Sequence, residues 1–129
     1  MQPSKSVEGV LEDIISDEFG PDSRIKSVSV VSKTGLMIAG NSASELRAET
    51  FSAMSAIMFS AAETTRKDII KDDLEKVVVF FKDSMVIIVE LSASLLIVTV
   101  AERDADQDTL IQRMESVVDR SKTELTWLK

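Results

Sequence analysis

The spacing of hydrophobic residues changes along the chain, and the changes mark its elements. From Ser6 to Phe19, the residues Val7, Val10, Leu11, Ile14, Ile15 and Phe19 keep the spacing of one helical face. Gly20 can take the left-handed position that closes a helix and Pro21 cannot continue one, so the helix is predicted to stop there. Ile25 to Ser32 alternates β-branched residues with serine, and Leu36 to Asn41 is a second short apolar run. Lys33-Thr34-Gly35 between them supplies the glycine of a tight hairpin.

Ser42 to Arg66 reads as a long helix around which the rest is organised. Ser42 with Glu45 three residues later has the form of a capping box, and Arg66 and Lys67 put cations where the helix dipole favours them. Leu46, Ala53, Ile57 and Ala61 fall on one side, while Phe51, Met54, Met58, Phe59 and Ala62 spread toward the other. A helix apolar over so much of its circumference is normally covered on more than one side. One side is expected on the chain's own sheet; the other, lined by Ala, Ser and Met, needs a further element. Met54 and Met58 fit an adaptable binding surface as well as they fit a core.

After a charged loop, Lys71 to Glu75, come three apolar segments: Lys76 to Lys82, Met85 to Leu91 and Leu95 to Ala101. Short polar breaks separate them, which predicts an antiparallel meander. They are apolar at odd and even positions alike, so both faces of the sheet must be covered. Asp106 to Leu128 places Leu110, Ile111, Met114, Val117, Val118 and Leu125 on one face of a last helix. The expected fold is α+β: a single domain over residues 1–129, a three-layer α/β/α sandwich. Its order is α-β-β-α-β-β-β-α, with a central five-stranded antiparallel sheet, the long helix on one face and the terminal pair on the other.

Composition narrows the function. The chain has 129 residues, 44% hydrophobic and 29% charged, which suits one globular domain. A net charge of -7 with no basic stripe disfavours nucleic acid. There is no cysteine and no histidine, which removes disulfides, thiolate zinc sites, cysteine nucleophiles and the Ser-His-Asp arrangement. No apolar run reaches the roughly 20 residues of a membrane span, and the N-terminus lacks a secretory pattern, so a cytoplasmic location without membrane insertion is expected.

The remaining candidates for chemistry have simpler readings. Asp104, Asp106, Asp108 and Glu115 occupy positions of a calcium loop, but Thr109 stands where that loop needs glycine, so an acidic helix start capped by Asp106 or Asp108 is the better account. Asp72, Asp73 and Glu75 read as a solvated loop, and Gly35 and Gly40 are not followed by a phosphate-loop lysine. Arg24, Arg47, Arg66, Arg103, Arg113 and Arg120 could each be imagined as a finger donated to a nucleotide hydrolase, but none is singled out. No catalytic residue, cofactor site or metal site is expected. The segment KVVVFFK is either an interior strand with charged ends or an edge strand that pairs with a copy of itself, its lysines limiting further addition.

The order of elements, the hairpin KTGLMIAGN, the helix beginning SASELRAE and the closing LLIVTVA before an acidic helix start resemble the roadblock family. These are small roadblock/profilin-like domains akin to dynein light chain roadblock and to bacterial and archaeal gliding-protein regulators. Thr34 stands where that family often has an acidic residue. The resemblance implies a homodimer in which the long helices pack antiparallel and the following strands pair across the two-fold axis. It places Ala53, Ser55, Met58, Phe59 and Ala62, with Val77, Val78, Val79, Phe80 and Phe81, at or near the contact. It also implies a platform or regulator for a Ras-like small GTPase, which makes the leading expectation a non-enzymatic dimeric adaptor. The alternative is a small-molecule sensor of similar architecture, for which Thr99 and Glu90 are the only polar residues inside two of the apolar strands.

Overall fold

Each apolar run becomes a helix or strand in the order its period predicts. The computed structural model describes residues 6–42 and 47–128. Helix α1 is Val7–Phe19, followed by β1 (Ile25–Ser32) and β2 (Met37–Ser42). Helix α2 (Ala48–Thr65) runs on into a π-helical turn, Arg66–Ile70, and is followed by β3 (Val77–Phe80), β4 (Ser84–Glu90), β5 (Leu95–Glu102) and α3 (Gln107–Glu124).

The helix ends have visible causes. Ser6 caps α1, its Oγ accepting from the Gly9 N–H at 3.0 Å, and Gly20 ends it at φ +58°. Asp106 caps α3, its Oδ2 accepting from the Thr109 N–H at 3.3 Å. Helix α2 starts later than the capping pattern predicts. Ser42 stays in the β2 ladder opposite Ser27, and the helix begins at Ala48 after Arg47, which makes no side-chain cap. Glu45 and Leu46 lie outside the described residues. Helix α3 ends at Glu124, short of Leu128, yet Leu125 and Leu128 still fold back into the core.

The sheet order is β2-β1-β5-β4-β3, every neighbouring pair antiparallel. Strand β5 lies in the middle, and its side chains alternate between two cores. Ile97 and Ala101 face α1 and α3 with Leu11, Ile14, Phe19, Leu110, Met114 and Val117. Leu96, Val98 and Val100 face the other way with Phe59 of α2, Val86 and Ile88. That double burial explains the missing alternation in β4 and β5. Each large apolar side chain fully enclosed there contributes about 1.5–3 kcal/mol.

Thr99 shares the α1/α3 side of β5, is fully buried, and its Oγ1 finds no hydrogen-bond partner among the described residues. Leaving a buried hydroxyl unpaired costs about 1–3 kcal/mol, so Thr99→Val, which keeps the shape, is expected to raise stability by about 1 kcal/mol in urea unfolding.

Ion pairs tie α1 to α3. Arg120 reaches Asp17 at 3.2 Å, Glu18 at 3.0 Å and Glu124 at 3.2 Å, and Arg113 reaches Asp22 at 3.3 Å. The Asp22 carboxylate accepts from the Arg24 N–H at 2.9 Å, and chiefly this bond, with Arg113 adding to it, holds its pKa below the ordinary 3.8. A depressed carboxylate stabilises the folded state above its unfolded pKa and loses that contribution as pH falls through its folded value. Asp22→Asn is therefore expected to lower Tm at neutral pH, with the difference from the native chain shrinking once pH drops below 3.8.

Candidate interaction surface

Helix α2 lies on the sheet through its small residues. Ser52, Ser55, Ala56 and Phe59 are buried, and Phe51 and Met58 pack partly against the same cluster. Gly35, at φ +100° in the β1–β2 turn, explains the need for small side chains: a Cβ there would sit 3.2 Å from Ala53 Cα. Ser52 satisfies its hydroxyl by donating to Ala48 O at 2.7 Å. Lys33 lies 5.3 Å from the centre of the Phe59 ring and pairs with Glu90.

The opposite face of α2 carries Thr50, Met54, Ile57, Ala61 and Thr64, all exposed, at steps of four, three, four and three residues. Met54 is 47% and Ile57 58% exposed, and no charged residue occurs between Glu49 and Glu63. A surface helix normally places charge on that face; here it presents a seam of the kind that packs on another helix. Ile69 and Ile70, in the π-helical turn, are 73% and 62% exposed.

Strand β3 lies at one edge of the sheet, so within the single chain KVVVFFK is an edge strand and not an interior one. The Phe81 N–H donates to Ser84 O at 2.8 Å and closes the turn at Lys82-Asp83. Following the alternation from that pair through Val79↔Val86 to Val77↔Ile88, the N–H and C=O of Val78 and Phe80 point away from β4 at the free edge. Val77 and Val79 are half-buried toward α2 and Val78 toward the other core, while Phe80 and Phe81 are 50% and 54% exposed. The Arg103 guanidinium stacks on Phe80, 4.0 Å from its ring centre.

The residues expected at a dimer contact thus divide. Ser55, 0% exposed, and Phe59, 4% exposed, are buried in the single chain on the sheet-facing stripe of α2, which runs through 52, 55, 56 and 59. Ala53, Met58 and Ala62 are half-buried on the flanks, and Val77 to Phe81 form the edge. The apolar pattern alone places Met54 and Ile57 on opposite sides of the helix; the alternating steps of four and three residues from Thr50 to Thr64 are the signal that unites them.

Among the described residues no group of three or more acidic side chains is placed to hold a metal. Asp72, Asp73 and Glu75 are exposed. Thr99 and Glu90 do not converge: one is sealed inside the sheet and the other is exposed on the opposite face with Lys33. Of the arginines, Arg66 pairs with Glu63, while Arg113 and Arg120 serve the α1–α3 clamp. No helix among the described residues is long and apolar enough to cross a membrane.

Three helices on a five-stranded antiparallel sheet in this order define the profilin-like class. A profilin from Schizosaccharomyces pombe superposes with a TM-score of 0.62 at 14% identity, over 95% of this chain and all of its own (100%). Within that class the chain belongs to the Roadblock/LC7 domain family, whose model matches residues 11–101, from α1 through most of β5. A Roadblock/LC7 domain from Streptomyces avermitilis gives a TM-score of 0.78 at 17% identity, covering 89% of this chain and 97% of that one. Myxococcus xanthus MglB gives 0.78 at 12% identity, covering 98% and 100%. No curated protein matches the chain by sequence.

Proposed function

We propose that this chain is a cytoplasmic, non-enzymatic adaptor that dimerises with a second copy and binds a Ras-like small GTPase, modulating its GTP hydrolysis. The observation that carries the reading is the uncharged outward face of α2, Met54 and Ile57 above all, on the same molecule as the open apolar edge of β3. Charge supports an antiparallel pairing of α2 with its copy: Arg47 and Glu49 at one end would meet Asp68, and Arg66 and Lys67, at the other. On β3, a pairing that bonds both free residues sets Val78 opposite Phe80 of the second copy and Val79 opposite itself. Phe81, Ala53, Met58 and Ala62 flank this contact.

The GTPase partner rests on family membership and on the fold shared with MglB. The test is recovery of the chain from its native cell with bound proteins identified, followed by hydrolysis measured with and without the chain. A Ras-like GTPase recovered in one nucleotide state, its rate changed by the chain, is the expected result. A monomer at tens of micromolar in light scattering, or no nucleotide-binding protein among those recovered, overturns the reading.

A further inference from the structure

The sheet has a second edge that dimerisation through β3 leaves untouched. Strand β2 lies at it, and residues 36–42, LMIAGNS, contain no charge and no proline. Natural sheet edges are usually blunted by such residues, as the lysines at both ends of KVVVFFK illustrate, because bare edges accept further strands. A groove of about 660 Å³ runs beside β2 from Gly35 to Gly40, between α1 and the start of α2. Its floor is apolar: Leu36 is 66% exposed, and Met37 and Ile38 are half-buried.

The rim of the groove is acidic. Glu8 of α1 stands on one side and Glu49 of α2 on the other, with Glu12 beside Gly40 in the adjoining hollow. Among the described residues none of the three carboxylates has an ion pair or hydrogen bond, and no basic residue lines either space. A second copy docked here would bring like charges together, whereas lysines or arginines would pair with them.

We propose that the β2 edge is a binding site for an extended basic segment of another protein, which adds to the sheet as a sixth strand. Main-chain bonds to β2 supply affinity, apolar side chains at every second position fill the groove, and flanking cations meet Glu8, Glu12 and Glu49. The site is independent of the dimer proposed above.

A direct probe is the peptide acetyl-Lys-Val-Lys-Val-Lys-Val-Lys-amide, with the same peptide carrying glutamate for lysine as control, titrated into the isotope-labelled full chain by NMR. Amide shifts and slowed hydrogen exchange confined to Met37–Ser42 are expected, with binding of the basic peptide at least about tenfold tighter and weakening as salt rises. The pair Glu8→Lys and Glu49→Lys should lower that affinity by about tenfold or more with the fold retained, Tm falling only slightly because both residues are exposed but each sits in the first turn of a helix. Ile57→Glu should bind the peptide as the native chain does, which separates failure here from failure of the dimer. Equal affinity for the acidic and basic peptides, shifts centred on β3, or concentration-dependent association of the chain through β2 would each overturn the proposal.

Discussion

Ile57→Glu is expected to turn a dimer into a monomer at tens of micromolar while leaving the fold intact. Ile57 is 58% exposed in the single chain, so its replacement touches no core contact, and a substitution on such a surface shifts stability by only about 0.5 kcal/mol. At the centre of a seam formed by Thr50, Met54, Ala61 and Thr64 the same glutamate would be buried opposite apolar groups with no cation in reach. An unpaired charge in that setting costs about 3 kcal/mol, a loosening of about 100-fold in Kd. Sedimentation velocity beside a melting curve reads both quantities. A variant that stays dimeric at micromolar concentration would show that α2 is not the contact.

Gly40→Ala is expected to cost about 3 kcal/mol or more, and to act on the fold itself. Gly40 has φ +139°, and a Cβ there would lie 2.6 Å from Ser29 Cα and 2.6 Å from Val28 O. Both are backbone atoms of β1 and cannot rotate away, so the hairpin must open or β2 must shift. Backbone strain and overpacking each carry a cost of about 1–3 kcal/mol, a large share of the roughly 5–15 kcal/mol that holds such a domain together. Urea unfolding measures the loss; a midpoint within error of the native chain would show that β1 and β2 separate there without penalty.

Much of the architecture was legible because the period of burial is written in the side chains. Helices α1 and α3 show a clean apolar stripe, and β4 and β5 abandon alternation because Leu96 and Ile97 face different cores. The rest was obscured for identifiable reasons. Helix α2 has apolar residues in every phase, so hydrophobicity alone could not set its rotation; the stripe against the sheet includes two serines, and the helix nears Gly35 at Ala53 and Ala56. Ser42 has the chemistry of a helix cap but keeps its backbone in β2. The adjacency of β1 and β5 leaves no trace in periodicity, because strand order is fixed by long-range pairing.

That adjacency governs how the domain can be made. The hairpin of β1 and β2 emerges early from a ribosome, yet the strand that must lie against β1 ends at Glu102. Until then the side of β1 that pairs with β5 is an open strand edge, flanked by Val28, Val30 and Val31, and the nascent chain carries an apolar ribbon that invites chaperones or wrong partners. Neither half of the polypeptide can be cut free and expected to fold, because each lacks the strand that the other supplies to the middle of the sheet.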